Sequence, residues 1–279
     1  MQQYHIGICE FSFPCWGPIA INMARAAGFD GIQLADAGGL EAGFPFSHAF
    51  VRSAYLEAAD RAGIALQAMH LHGLFHSHLI DHAPDTQKGS DARKSIRIGI
   101  EACAAMQIPT VMITVTEVRS AEQYDNVCGA LQYAAALCRD SGVQLSVETD
   151  LSPVQWQALR DRIGPGPKLC FDTMNPKVYG LGEPASLIEQ YGFETIDHFH
   201  VKDCCANARG YFTKYTTPIC PIGQGGTGFA DSARVIRSHA YRGWIISETF
   251  YFFPEFGGQD PIALAAADAK TLRSVFDTD

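Results

Sequence analysis

The chain has 279 residues, 47% hydrophobic and 18% charged, with 21 Lys and Arg against 30 Asp and Glu. That composition excludes a fibrous or largely disordered chain, and the net charge of −9 argues against a nucleic-acid partner, whose binding is driven by phosphate neutralisation. No apolar run approaches the ~18 residues of a membrane span, so no membrane partner is expected. The opening Met1-Gln2-Gln3-Tyr4-His5 lacks a signal-peptide pattern. The nine cysteines contain no C-x-x-C pair and sit mostly in apolar stretches. They read as buried thiols of a cytoplasmic protein.

In chain order, short apolar runs rich in Val, Ile, Leu and aromatics predict strands at 5–11, 31–36, 65–70, 110–115, 144–149, 168–173, 196–203 and 244–249. Amphipathic stretches predict helices at 17–27, 49–62, 90–106, 121–141, 153–162, 184–191, 230–239 and 260–276. Several helices run into a glycine that can end them, as in Ala27-Gly28, Ala62-Gly63, Ser141-Gly142 and Arg242-Gly243. Eight β-then-α units imply a parallel sheet with covering helices. Their total length fits an α/β chain folded as a single (β/α)8 TIM barrel, one domain over residues 1–279. A doubly wound sheet would require a glycine-rich turn after the first strand, where Cys9-Glu10-Phe11-Ser12-Phe13-Pro14 stands instead.

Such barrels keep their chemistry at the C-terminal ends of the strands. Here the third strand ends in His70 and runs on to His72, the fifth ends at Glu148 and the sixth at Asp172. The seventh ends in His198-x-His200-x-Lys202 and the eighth at Glu248. A lone acid at a strand end is ordinarily a cap or an ion-pair partner. Three carboxylates converging on one mouth repel one another unless a cation lies among them. Glu148, Asp172, His200 and Glu248 are therefore assigned to one divalent cation. Hard oxygen donors with one imidazole suit Mn2+ first, then Mg2+ or Co2+, with Zn2+ also compatible. His200 is chosen over His198 because it lies nearer the strand end.

Val147-Glu148, Phe171-Asp172-Thr173-x-Asn175-Pro176, His200-Val201-Lys202-Asp203 and Ser247-Glu248, in that order, resemble the sugar-phosphate isomerase/epimerase group of the xylose-isomerase-like TIM barrels. The loop Pro221 to Phe229 resembles that group's glycine-rich segment ahead of the last helix–strand pair. The resemblance implies a metal-dependent enzyme acting on a small sugar or polyol. In it Glu148 and Glu248 both bind the ion and exchange the proton beside a polarised carbonyl. His70, His72 and Lys202 would contact substrate hydroxyls or the enediolate, and Arg209 a distal hydroxyl or phosphate. Asn175 stands where ketose 3-epimerases of the group carry a histidine, so isomerisation and epimerisation both stay open. A lyase of the same superfamily, dehydrating an inosose or dehydroshikimate-type ring or cleaving a C-glycoside, would begin with the same proton abstraction. Endonuclease IV is a poor match, because the additional histidines of its three-zinc centre are missing.

Two further features bear on the same site. The histidine-rich stretch His70 to His82 reads as a surface loop in which His70 and His72 belong to the site. Phe11, Phe13 and Trp16, with Phe250 to Phe253, either wall the pocket or cover a subunit interface, and a homo-oligomer is expected from so much apolar loop.

Overall fold

The computed structural model describes residues 4–213, 217–239 and 241–277. Eight parallel strands close into a barrel: β1 (His5–Cys9), β2 (Gly31–Ala35), β3 (Ala65–His70), β4 (Thr110–Val115), β5 (Gln144–Thr149), β6 (Lys168–Asp172), β7 (Ile196–Val201) and β10 (Trp244–Ser247). Their order around the sheet is β1-β10-β7-β6-β5-β4-β3-β2. The two-residue strands β8 (Asp203–Cys204) and β9 (Ile219–Cys220) form a separate antiparallel ladder. The helices are α1 (Pro18–Ala26), α2 (Ala49–Ala62), α3 (His72–His76), α4 (Gln87–Met106), α5 (Ala121–Ser141), α6 (Pro153–Ile163), α7 (Asn175–Val178), α8 (Pro184–Tyr191), α9 (Phe229–Ser238) and α10 (Pro261–Phe276). Among the described residues no helix is long and apolar enough to cross a membrane.

Contacts group the chain into two compact units. The first comprises Met1–Gln33, Ala58–Ala65 and Phe171–Asp279. In it β1 pairs with β10, placing Ile8 beside Ser247, and with the start of β2, placing Cys9 beside Gln33. β10 pairs in turn with β7, Ile246 beside His200. Two strand glycines are required by close packing. A Cβ on Gly31 would stand 2.5 Å from the Trp244 ring, and one on Gly7 would stand 2.5 Å from Ile246 Cδ1.

The second unit comprises Leu34–Glu57 and Leu66–Cys170. β4 is buried along its whole length, with β3 on one side and β5 on the other. Its long helices start on side-chain caps. Thr86 Oγ1 accepts from Gly89 N, Ser120 Oγ from Gln123 N, and Ser152 forms a capping box with Gln155. The α5 helix stops at Gly142 in the left-handed conformation, as the sequence predicts.

Three expectations are corrected. The first strand ends at Cys9, because Glu10–Ser12 turn into a 3-10 helix. The seventh strand ends at Val201, and Asp203 belongs to the β8–β9 ladder. The cause is the Asp203 carboxylate. It accepts from Cys204 N, Gly223 N, Gly225 N, Thr227 N and Thr227 Oγ1, which draws the chain out of the barrel ladder. The thiols are not all interior: Cys205 is exposed, and Cys15 and Cys220 are half-buried.

Candidate active site

Strand alternation turns His198 and His200 of β7 the same way, but their partners differ. His198 Nδ1 faces Asp197 Oδ2 at 2.8 Å, while its buried Nε2 has no hydrogen-bond partner among the described residues, so the satisfied interior role expected of it is met at one nitrogen only. His200 is fully buried. Its Nε2 lies 3.1 Å from Gln33 Oε1 and 3.8 Å from Cys9 Sγ, and its Nδ1 lies 3.1 Å from Glu248 Oε2. An amide oxygen only accepts, so Nε2 carries the proton and donates it to Gln33. The other ring nitrogen, Nδ1, is the one that meets the Glu248 carboxylate. A second ring nitrogen fixed by a carbonyl is the arrangement that prepares a histidine to bind metal. Burial pushes the Cys9 thiol up to about 11, which keeps it neutral beside the imidazole.

Asp172 closes β6, where one of its oxygens is saturated and the other is not. Oδ1 accepts from Met174 N at 2.7 Å and Asn175 N at 2.6 Å, the amides that open α7. Oδ2 receives no directed hydrogen bond among the described residues, and its partner is the Lys202 ammonium at 3.0 Å. Lys202 Nζ also donates to Glu248 Oε2 at 2.6 Å. Burial pushes the Asp172 carboxyl above the usual carboxylate range. Burial acts the same way on Glu248, but there Lys202 and His200 overcome it and hold the group well below its ordinary value. Asp172, His200 and Glu248 each offer one ligand atom, and these atoms lie within 4.8 Å of one another. Two hard oxygens and one prepared imidazole fit a divalent cation.

The second unit holds a different arrangement. Thr114 of β4 is the cross-strand partner of Glu148 on β5. Its hydroxyl donates to Glu148 Oε2 at 3.0 Å, so it must accept from His70 Nε2, also at 3.0 Å. His70, Thr114 and Glu148 thus form one buried chain of hydrogen bonds. Just past β2, Asp36 accepts from Gly73 N through both oxygens at 3.2 Å, and burial lifts its carboxyl to about 6.

The structure therefore brings Asp172, His200, Lys202 and Glu248 together in one unit, and His70 and Glu148 in the other. The other expected residues are placed variously, and the His72 ring lies edge-on to that of His70 with centroids 5.3 Å apart. His72 faces His76, Nε2 to Nε2 at 2.9 Å. Asn175 contributes its backbone amide to Asp172. Arg209 is exposed, its amide donating to Asn207 Oδ1. Trp16 is 42% exposed ahead of α1. Of the aromatic residues expected at the mouth, Phe11, Phe13 and Tyr251 are buried, Phe250 and Phe253 are half-buried, and Trp16 and Phe252 are exposed. The Phe11 and Phe13 ring centroids lie 6.2 Å from Phe250 and 6.4 Å from Tyr251 respectively. Sequence reasoning missed Gln33, Thr114 and Asp36. The first two were detectable as polar residues inside the apolar runs Gly31–Ala35 and Thr110–Val115. The amides of the glycine loop, a conceivable phosphate cradle, are already donated to Asp203 at Gly223, Gly225 and Thr227.

Comparison with known proteins follows the same lines. A family model described as the xylose isomerase-like TIM barrel matches residues 21–275. A curated relative from Actinoplanes sp. (strain ATCC 31044 / CBS 674.73 / SE50/110), named 2-epi-5-epi-valiolone 7-phosphate 2-epimerase, is 27% identical over 225 residues, 79% of this chain and 78% of its own. Among solved structures, a xylose isomerase domain protein from Planctomyces limnophilus superposes with a TM-score of 0.77 at 16% identity, covering 99% of both chains. The IOLI protein, solved with a bound zinc atom, gives a TM-score of 0.76 at 15% identity over 98% of each.

Proposed function

Because the chain belongs to the xylose isomerase-like TIM-barrel family, we propose that it is a divalent-metal-dependent epimerase or isomerase of a small polyol ketone or its phosphate. The observation that carries this reading is His200. One nitrogen is committed to Gln33 and the other faces the Glu248 carboxylate, beside an Asp172 oxygen with no directed hydrogen bond. The epimerase named for the Actinoplanes relative and the zinc in the IOLI structure support it.

In this reading Glu148, Asp172, His200 and Glu248, all buried and each offering a ligand atom, hold one cation, with Mn2+ favoured by the hard donors. The bound ion supplies polarisation of a substrate carbonyl and its neighbouring hydroxyl, which acidifies the C–H between them. The protein supplies the proton traffic. Glu248, held ionised in the metal-free protein by Lys202 and His200, removes or returns a proton, and Glu148 does the reverse from the other face. Thr114 fixes the Glu148 carboxylate, with its donated hydrogen directed at Oε2. His70 and Lys202 hold substrate oxygens. Inversion beside the carbonyl is favoured over carbonyl migration because the curated relative is named an epimerase.

The test is proton exchange. Protein stripped with a chelator and reloaded with Mn2+ is incubated in D2O with ketohexoses, their phosphates and cyclitol ketones. Deuterium is expected at the carbon beside the carbonyl, accompanied by the epimer, and chelated protein is expected to give neither. Failure to bind Mn2+ by elemental analysis and by thermal shift would overturn the metal-dependent reading. New enone absorbance would reassign the chemistry to a lyase.

A further inference from the structure

We propose that Lys202 is a built-in competitor of the metal ion: its ammonium holds the Asp172 and Glu248 carboxylates in the metal-free protein and must leave them when a divalent cation binds. The inference rests on the metal-dependent reading above and deepens it, because it assigns to this chain a residue that sets how tightly, and with what consequence, the site loads.

Lys202 Nζ lies 2.6 Å from Glu248 Oε2 and 3.0 Å from Asp172 Oδ2. Both of those atoms are metal-ligand candidates, since Glu248 Oε2 is the one His200 Nδ1 faces and Asp172 Oδ2 is the one without a directed hydrogen bond. Lys202 and the two carboxylates are all buried, so water screens them little. A divalent ion binds such oxygens at roughly 2.0–2.2 Å. An ion sharing Glu248 Oε2 with the ammonium would therefore stand within about 5 Å of it, and closer still if it shared the Asp172 oxygen as well. Two cations at that range in a poorly screened pocket repel strongly. The side chain already has somewhere to go: its ammonium lies 6.0 Å from the centre of the Phe250 ring, whose face attracts a cation.

The exchange has a functional consequence. In the metal-free state the ammonium is spent on the carboxylates. Loading releases it, and a released lysine beside the ion is free to bind an anionic oxygen of the substrate. Metal loading and substrate binding are then coupled through one side chain, and the lysine bonds substrate oxygens only in the loaded protein.

The experiment is calorimetric titration of chelator-stripped protein with MnCl2 and with ZnCl2, comparing wild type with K202M, K202R and the surface variant K177M. The K202M variant is expected to bind at least tenfold more tightly than wild type. K202R, which keeps the positive charge, is expected to stay within threefold of wild type, and K177M to match it. A second readout needs no substitution. Acetylation of Lys202 by an amine-reactive ester, followed by peptide mass spectrometry, is expected to speed up at least fivefold when the wild-type protein is loaded with Mn2+. Equal or weaker binding by K202M, with unchanged acetylation, overturns this inference while leaving the metal reading intact. Absence of binding by every variant overturns both.

Discussion

The two units of the chain hold their candidate site residues in opposite ways. In the unit that carries β7 and β10, Asp172, His200, Lys202 and Glu248 are bound by charge, and each charged atom leans on another. In the unit that carries β3, β4 and β5, His70 and Glu148 are joined through a neutral hydroxyl, with directed hydrogen bonds from end to end. A charge cluster can exchange one cation for another, because its attraction has no preferred direction. A hydrogen-bonded chain cannot, because each proton has one acceptor. In the proposed reading the charged group loads the ion, and the hydrogen-bonded chain aims a carboxylate.

The contrast can be broken at several points. Removing charge from the first group has the largest expected effect. Glu248→Gln is expected to lower deuterium exchange at least 10^3-fold, about 4 kcal/mol of barrier, and also to weaken Mn2+ binding in a calorimetric titration. Gln33→Leu leaves every ligand in place but frees the second nitrogen of His200. Manganese affinity is expected to fall roughly 10–100-fold, the usual cost of losing such a support. Thr114→Val breaks the neutral chain instead. Here kcat is expected to drop about tenfold, about 1.4 kcal/mol of barrier, while metal affinity moves less than about fivefold, because the hydroxyl's two buried hydrogen bonds aim the carboxylate without touching the ion. Equal losses of both in this variant would erase the distinction between the units.

The smallest effect concerns stability and pH. Asp36 titrates near 6 in the folded chain against 3.8 when unfolded, because burial raises it. A raised carboxyl contributes stability that is complete below the unfolded value and is lost as pH climbs through the folded one. Wild type is therefore expected to lose about 1–3 kcal/mol from this group between pH 4 and pH 7. Asp36→Asn should flatten that part of the curve in urea unfolding of chelated protein.

The architecture was legible because period and punctuation agree: apolar strands, amphipathic helices, and glycines such as Gly142 where a helix must stop. The charged residues of the site were legible because a carboxylate at the end of an apolar strand is costly, and so is conspicuous in sequence. The residues that position them were not. Gln33 and Thr114 are uncharged and lie mid-strand, and their value depends on partners 167 and 34 residues away. The aromatic residues were ambiguous for another reason: a ring in a loop can line a pocket or join the core, and only the fold separates the buried Phe11 and Phe13 from the exposed Trp16 and Phe252. Strand seven was read too long because Asp203 continues its alternation while its carboxylate serves another segment.

That aspartate also has an evolutionary corollary. By knotting five donors at the foot of the β8–β9 ladder, it returns the excursion between Cys204 and Ile219 to the place where it departed. Insertions or deletions inside the excursion would then leave the staves on either side in register. Selection can rewrite the excursion while the strands that carry the candidate site stay unaltered, provided it spares the knot.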